Sequence, residues 1–592
     1  MVRTDVRRYR SGMRVGNQFG LGTQGSWILC ACLAVAGCSK NTEDPTATGT
    51  IGAVAGFGGP GVVGAGASGS RVGASGTGLP GVGFAGNGTA VGTAGFGAAG
   101  FAGGGPVGGS GPVIGPGAVS VLQYHGNARR DGLYVDPAFT RVAASMMKRD
   151  PMFTAAIKGP TYAQPLYVET GDGNDLIITA TEQNEVSAIN AITGIPLWQK
   201  VLAPPGEPGC GGSIRPLGIT GTPVIDVESR TIYVAAMVMG NKHQIFALSL
   251  TDGSVIPGWP VDVSTVKAGA VAFNSGVQNQ RGALLLVNRM LYVPYGGNFQ
   301  DCADFHGWVI GVPLDNPAAP IAWVTKGLGG GIWAPGGLAS DGMSVFAATG
   351  NTMEKPGAMN TSPAMWSHGN AVLRLAPDLK EITEGQTIDF FATKSWKEDD
   401  KAGWDLGSSS PVLFSMPGAT PANLVLAMGK NGHAFLLDAA KLGGVGGEIS
   451  TVAVSDGGIA GGMIGAPAVY PTPTGTFAAF RSNLLPTMCM SGMGNFAALK
   501  VTPGAPPKLS MAWCAEGNGT GSPIVTSPDG MTDSVVWYFT GGKLIGVNGE
   551  SGMTLFRDAQ SVGFIDKYQT PIVAKGRLFV AGTDAVYAFT VK

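Results

Sequence analysis

The sequence predicts an all-β fold, an eight-bladed β-propeller, and three observations support it. From residue 118 onward short apolar runs alternate with Gly, Asn, Asp and Pro turns, and no long helical period appears. A proline followed by an aliphatic residue also returns at strand starts. Short antiparallel strands repeated around an axis leave few exposed sheet edges. The competing layout is an array of β-sandwiches, against which the regular period argues.

The proline repeat predicts the innermost strand of each blade. Its copies are Pro165, Pro223, Pro411, Pro467, Pro523 and Pro571. Two degenerate copies near residues 283 and 336 complete eight units. Each unit continues with a second and a third strand and, where sequence remains, a fourth, such as "PLWQKVL". Thr-Gly, Asp-Gly and Ser-Gly pairs supply the turns between the third and fourth strands.

The last unit predicts how the ring closes. The chain given stops at Lys592, after the third strand of that unit, so its fourth strand must come from elsewhere. The segment "MFTAAIKG" at 152–159, just before the first unit, is the natural donor. Ring closure by an N-terminal strand would couple both ends of the domain.

The N-terminal part predicts export and anchoring. Residues 1–37 combine a basic start with an apolar run, which predicts an export signal. The small residues before Cys38 resemble a bacterial lipobox, and this resemblance implies a lipoprotein signal peptide with Cys38 lipidated. An ordinary signal peptide or a buried helix is the alternative. Residues 38–117 are glycine-rich and predict a flexible tether, or else a functionless insertion. Because Ser39 is not an aspartate, the prediction is an outer-membrane lipoprotein, facing the periplasm or the cell surface.

Composition and spacing exclude several function classes. A net charge of −1 argues against a general nucleic-acid binder. The sequence has no C-x-x-C-H motif for attached haem, and its five histidines form no close zinc-like pair. Beyond Cys38, the cysteines are Cys210, Cys302, Cys489 and Cys514. An oxidising compartment favours disulfides, and four cysteines allow three connectivities. We pair Cys489 with Cys514, which fall within one unit, and Cys210 with Cys302 across neighbouring loops, with free buried thiols as the alternative.

Several motifs together resemble the pyrroloquinoline-quinone (PQQ) type of propeller, found in quinoprotein dehydrogenases and their non-enzymatic relatives. They are "YHGNARRDG" at 124–132, "YAQPLYV" at 162–168, "LGITGTPVID" at 217–226, "QNQRGALLLV" at 278–287, "FHGWVIG" at 305–311, "GWDLGSSSPVLF" at 403–414 and "GKNGHAFLLD" at 429–438. The resemblance covers most of residues 118–592, taken as one propeller domain.

The resemblance implies a cofactor site in a central funnel. Trp333 would be the aromatic floor under a planar quinone, and Asn351 would be a calcium ligand. Lys430 would be the cation that pairs with the quinone, and Arg215 is a further cofactor contact. Asp405 is a second candidate metal ligand.

Other positions depart from the family pattern. The adjacent-cysteine position reads Cys210-Gly211, so a disulfide between neighbouring cysteines cannot form. Leu375 falls where the catalytic acid is expected, with Asp378 as a substitute, and Val238 falls near the expected glutamate ligand. These departures favour a site that kept its aromatic floor and lost its acids.

The densest charge cluster is "KSWKEDDKAGWD" at 394–405. It predicts a solvated loop. The alternative is an acidic calcium loop that uses Glu398, Asp399, Asp400 and Asp405.

The function predicted is a lipid-anchored, non-catalytic binding or scaffold protein of the cell envelope. Its partners would be the membrane, through Cys38, and envelope proteins bound to a propeller face; an outer-membrane assembly lipoprotein of the same fold is one resemblance. The alternative is a PQQ- and calcium-dependent dehydrogenase of alcohols or sugars. PQQ and Ca²⁺ are thus implied by resemblance alone.

Overall fold

The computed structural model describes residues 120–591, except residues 213, 386, 459–461, 483–488, 490–492 and 564–567. The predicted signal peptide, Cys38 and the tether 38–117 lie outside the described residues and stay predictions. Within the described part of the chain, no helix has both the length and the apolar character that a membrane span requires.

Eight antiparallel sheets, here called blades 1–8 in chain order, form the propeller. From the inner to the outer strand, blades 1–4 comprise Leu166–Val168, Leu176–Ala180, Glu185–Asn190 and Pro196–Val201; Val224–Asp226, Thr231–Val238, Lys242–Ser249 and Val261–Asp262; Leu285–Val287, Met290–Gly297, Trp308–Pro313 and Ile321–Val324; and Ala339–Ser340, Val345–Ala348, Ala371–Leu375 and Phe390–Ala392.

Blades 5–8 repeat the same plan. They comprise Val412–Ser415, Asn423–Met428, His433–Asp438 and Ser450–Ala453; Ala468–Thr472, Gly475–Arg481, Phe496–Thr502 and Lys508–Ala515; Gly519–Ser527, Val535–Thr540, Lys543–Asn548 and Thr554–Arg557; and Ile572–Ala574, Arg577–Ala581, Ala585–Thr590 and Lys148–Ala156. The predicted eight-bladed propeller is confirmed, and each proline of the repeat stands immediately before or within an inner strand.

Short helices, 3₁₀ turns and additional strands lie between the blade strands. The helices are Arg141–Ser145 and Trp396–Ala402, and the 3₁₀ turns are Tyr124–Gly126, Val263–Thr265, Phe299–Asp301 and Leu406–Ser408. The remaining strands are Leu133–Val135, Lys267–Ala268, Val271–Ala272, Gln278–Asn279, Leu328–Gly329, Thr352–Met353, Thr383–Glu384, Thr387–Ile388 and Gly444–Val445. The predicted solvated loop at 394–405 is wrong, because its centre is the helix Trp396–Ala402, which buries Asp399 and Asp400.

The N-terminal strand closes the ring, as predicted. Strand Lys148–Ala156 is the outer strand of blade 8 and pairs antiparallel with Ala585–Thr590. Phe153 packs edge-on against Phe579 with ring centroids 5.6 Å apart. The strand begins at Lys148, four residues before the predicted segment. Ring closure therefore makes the last blade depend on residues from both ends of the domain.

The hydrophobic core lies between neighbouring blades. Separate buried clusters fill the spaces between blades 1 and 2, 2 and 3, 3 and 4, 4 and 5, 5 and 6, and 6 and 7, and another joins blades 7, 8 and 1. Because each blade is covered on both faces, its middle strands read as continuous apolar runs and not as strict alternation.

Residues 121–136 run around the propeller axis and contact every blade. Their backbone and side chains bond to residues of blades 1–8, namely Tyr167, Ile225, Leu286, Ser340, Leu413, Val469, Val525 and Gly576. Ser340 is the last residue of its inner strand, and Leu133–Val135 pairs with the last three residues of another, Val525–Ser527. The segment therefore lies toward the ends where inner strands finish.

Arg130 is the centre of this axial segment. Its guanidinium is fully buried and donates to the carbonyl oxygens of Leu338 at 2.8 Å, Leu284 at 2.8 Å and Tyr124 at 3.0 Å. Burial lowers the pKa of Arg130 to about 9, so the side chain is still charged at neutral pH. Tyr124 is also buried, and its hydroxyl forms a hydrogen bond of 3.0 Å with the hydroxyl of Thr570.

The structure contains two disulfides, Cys210–Cys302 and Cys489–Cys514. These are the two pairs named in the sequence analysis. The first links the loop between blades 1 and 2 to the 3₁₀ turn of blade 3, and the second lies within blade 6.

Candidate ligand-binding site at the propeller rim

The rim opposite the axial segment is built from loops that precede inner strands and loops that follow second strands. In blade 4, Trp333 precedes the inner strand and Asn351 follows the second strand, so antiparallel pairing brings both to this rim. The N–H of Gly330 donates to the carbonyl of Asn351 at 2.6 Å, and the N–H of Gly350 donates to that of Gly331 at 3.0 Å. Gly330 has a positive φ of 66°, which explains the glycine there.

Asp405 enters the same place from the loop before blade 5. Its Oδ1 accepts the backbone N–H of Asn351 at 3.0 Å, and its Oδ2 accepts from Nζ of Lys430 at 2.5 Å. The Lys430 ammonium lies 4.9 Å from the centroid of the Trp333 ring. The structure therefore brings Trp333, Asn351, Asp405 and Lys430 together in what we call the Trp333 pit.

Arg281 is a second cation in the Trp333 pit, and the sequence analysis did not single it out. Its Cζ lies 5.0 Å from the Trp333 centroid and 4.5 Å from that of Phe299. Nη2 donates to the carbonyl of Gly297 at 3.0 Å, while Nε is buried without a hydrogen-bond partner among the described residues. Arg281 is 7% exposed. The available signal was an arginine inside the otherwise uncharged motif "QNQRGALLLV".

Asp301 adds a second carboxylate beside these charges. Burial and the neighbouring charge of Asp405 raise the pKa of Asp301 to about 6, while Arg281 and Lys430 oppose that rise. Asp301 ends the 3₁₀ turn Phe299–Asp301, and the next residue is the disulfide-bonded Cys302. The disulfide therefore restrains the backbone next to this acid.

A hydrogen-bonded network behind the pit holds Asn351. Nδ2 of Asn370 donates to Oδ1 of Asn351 at 3.0 Å and to Oδ1 of Asp400 at 2.9 Å. Oδ1 of Asn370 accepts the N–H of Leu406 at 2.8 Å, directly after Asp405. Burial raises the pKa of Asp400 to about 7, although four hydrogen bonds to its oxygens oppose that rise. The network fixes the Asn351 amide relative to the Asp405 loop.

Arg215 lies on an exposed loop. It forms a salt bridge of 2.9 Å with Glu207 and donates to the carbonyl of Gly211 at 3.0 Å. Its role as a cofactor contact stays a prediction, since both partners belong to its own loop.

Comparison with known proteins gives the fold its relatives. No protein-family model and no curated protein sequence matches the chain. Among solved structures, a quinohemoprotein alcohol dehydrogenase from Comamonas testosteroni matches with a TM-score of 0.54 and 15% identity over 80% of each chain. A europium-containing methanol dehydrogenase matches with a TM-score of 0.54 and 13% identity, covering 80% of this chain and 98% of the other.

A third match has a TM-score of 0.55 and 12% identity over 80% of each chain. It is the quinohemoprotein alcohol dehydrogenase ADHIIG from Pseudomonas putida HK5. The chain has the quinoprotein-type propeller fold. At these identities the likeness describes the architecture of this quinoprotein-type propeller, and any activity must be argued from the Trp333 pit itself.

The two positions that the sequence analysis considered for the catalytic acid do not lie at the Trp333 pit. Leu375 is buried in the core between blades 3 and 4, and Asp378 is exposed on a turn, where it pairs with Lys380 at 2.6 Å. Strand Ala371–Leu375 begins beside Asn370 at the pit and runs away from it, so residues after its end lie at the far side of the blade. The acid at the pit is Asp405, which the sequence analysis gave only as a metal ligand.

The residues at the pit suit a planar anion better than a calcium ion. Asp405 already pairs with Lys430, and Oδ1 of Asn351 already accepts from Asn370. Val238, at the expected glutamate position, is a buried apolar residue. In the described part of the quinoprotein-type propeller, no group of three or more His, Cys, Asp or Glu side chains could hold a metal ion. Calcium affinity rises with the number of charged ligands, and of the two carboxylates in this region Asp405 is already paired with Lys430.

Substituting Gly350 by alanine should displace the Asp405 carboxylate without removing a charge. A Cβ at this position would lie 2.3 Å from Oδ1 of Asp405 and 3.3 Å from Nε1 of Trp333. We expect Gly350→Ala to weaken ligand binding at Trp333 by about 10-fold or more, since packed sites have no room for a further methyl group. Isothermal titration measures this; Gly276→Ala, whose Cβ would meet only Oδ1 of Asn274 at 3.5 Å, is the control and should bind normally.

Proposed function

We propose that the Trp333 pit binds a flat, anionic small molecule and that the protein is a binding protein of the cell envelope without turnover of its own. The observation that carries the proposal is a partly exposed indole ring with two cations, Lys430 and Arg281, within 5.0 Å of its centroid. An aromatic face binds a planar ligand, and ammonium and guanidinium groups bind its negative charges.

The location of this function is part of the proposal. The basic, then apolar segment before Cys38 supports export and lipidation, and the glycine-rich residues 38–117 support a tether. The propeller would then be held at the outer membrane, facing the periplasm or the cell surface, with its faces open to envelope proteins.

PQQ is one flat anion that suits the pit. It is a fused-ring quinone with carboxylate groups, so Trp333 would contact its ring and Lys430 and Arg281 would contact its anionic oxygens. When bound to an enzyme, such a quinone supplies the electron acceptor for alcohol oxidation. For this chain the residues argue for holding the ring system, and the paired state of Asp405 argues against a bound calcium.

The test is a titration of the purified propeller with PQQ, with and without calcium, followed by dye reduction with alcohols and sugars. We expect saturable binding, its loss in Trp333→Leu, and no dye reduction. Absence of binding under every condition would refute the proposed pit. The control Trp198→Leu removes a tryptophan of the outer strand of blade 1, whose Nε1 donates to Leu250 at 3.1 Å, and should leave binding unchanged.

A second candidate function, a PQQ-dependent dehydrogenase, is favoured by Asp405. Its side chain is 12% exposed, lies beside Asn351 and Lys430, and could accept a proton from a substrate hydroxyl. If dye reduction does occur, Asp405→Asn should lower the rate by about 10²–10⁴-fold, the usual contribution of a general base. Turnover in the wild-type protein would replace the binding-protein proposal.

Anion binding should strengthen as the pH falls through about 6. Asp301 has its pKa raised to about 6, so it is ionised at pH 7 and protonated at pH 5. Its protonation removes one negative charge that acts on Arg281 and Lys430, and the pit becomes more positive. We expect the affinity for naphthalene disulfonate, which stays ionised throughout, to rise about 3-fold or more between these pH values. Asp301→Asn should bind tightly at both pH values and flatten the profile.

A further inference from the structure

One of the two cations of the Trp333 pit, Lys430, already pairs with a carboxylate. Lys430 and Asp405 form an ion pair of 2.5 Å, and their side chains are only 14% and 12% exposed. A divalent ion placed against Asp405 would therefore meet the Lys430 ammonium at the oxygen it needs.

Arg281 has an unpaired donor that a negative group of a ligand could satisfy. Its side chain is more than nine-tenths buried, one of its donors, Nε, has no partner among the described residues, and its guanidinium plane contacts the rings of Trp333 and Phe299. A buried donor left unpaired costs free energy, and an anionic oxygen from a ligand would remove that cost.

From these contacts we infer that the Trp333 pit is a metal-independent anion site, in which the Lys430 ammonium binds one negative group of the ligand and the Arg281 guanidinium binds a second. The inference rests on the proposed function and specifies its ligand: a planar aromatic molecule with at least two negative charges. The cations come from different blades, Arg281 from the start of blade 3 and Lys430 from the turn after the second strand of blade 5, so the ligand would bridge them across Trp333 of blade 4.

Binding of naphthalene disulfonate and of PQQ to the intact propeller, followed by isothermal titration, tests this directly. Each probe is titrated in the presence of a chelator and again in excess calcium. We expect the affinity for naphthalene disulfonate to change by less than about 2-fold between the two conditions. Lys430→Gln and Arg281→Gln should each weaken both probes by about 10-fold, the typical effect of losing one charge-assisted contact.

Two further variants separate charge from folding. Arg281→Lys keeps the positive charge and should retain most of the affinity if Arg281→Gln folds poorly. Lys500→Gln removes a lysine that lies 5.4 Å from the Phe477 ring in blade 6, a matched cation–aromatic contact outside the pit, and should bind like the wild type. Near-ultraviolet circular dichroism confirms that each variant is folded.

The possible outcomes are distinct. If the probes bind only in calcium, or at least 10-fold more tightly in calcium, the metal-independent site is refuted while the proposed binding function stands. Unchanged affinity in both Lys430→Gln and Arg281→Gln also refutes it. If neither probe binds under any condition, both the inference and the proposed function are wrong.

Discussion

Replacing Arg130 by methionine should lower the free energy of unfolding by about 3–5 kcal/mol, because three buried carbonyl oxygens lose their donors at a cost of about 1–3 kcal/mol each. The side chain is fully buried, and its three guanidinium nitrogens donate to the carbonyl oxygens of Leu338, Leu284 and Tyr124. Methionine fills much of the volume but leaves those acceptors without donors. Urea unfolding followed by tryptophan fluorescence measures the change.

Arg129 supplies the matched control for this prediction. It adjoins Arg130 in the axial segment and is half-buried. Its backbone carbonyl accepts the N–H of Leu413 in blade 5, and this bond does not depend on the side chain. Arg129→Met should therefore change the unfolding midpoint little. Equal effects of the two substitutions would show that the buried bonds of the Arg130 side chain add no specific stability, contrary to the role given to Arg130.

Breaking the Asp405–Lys430 pair from one side should destabilise the protein, whereas replacing both residues should not. Asp405→Leu leaves the Lys430 ammonium mostly buried without its partner, and Lys430→Met leaves the carboxylate with only the Asn351 N–H. We expect each single change to cost about 3 kcal/mol. The double variant Asp405→Leu/Lys430→Met should recover most of this, because two apolar side chains need no partner.

Thermal and urea unfolding of the four proteins in this cycle gives the coupling free energy. Additive losses in the double variant would contradict a tight pair. An exposed pair, Lys380 with Asp378 at 2.6 Å, is the control, and its cycle should give a coupling below about 1 kcal/mol.

The blades were predictable because their signals are local. Pro411, Pro467 and Pro523 recur with aliphatic residues after them, and each such unit needs only neighbouring units to bury its faces. Even ring closure followed from counting strands, since the eighth blade lacked one and an unused strand preceded the first.

The site was harder to predict because its residues meet across long and irregular connections. Asn351 and Asp405 are joined through a hairpin, Thr383–Glu384 with Thr387–Ile388, and the helix Trp396–Ala402, which have no counterpart in the simple repeat. Aligning by strand ends therefore found Leu375 at the position expected for an acid, and Asp405 was named only as a candidate metal ligand. Arg281 gave no spacing signal at all, because its partners in the pit lie in other blades.

By itself the sequence determined the class of fold, the number of blades, the closing strand and the aromatic residue of the rim. These depend on short-range apolar patterns and on turn residues, which act within tens of residues along the chain. Only the tertiary structure decided which charges face one another: Lys430 against Asp405, and Arg281 against Trp333. Electrostatic contacts depend on distances of a few ångströms between blades, and those distances exist only once the ring has closed.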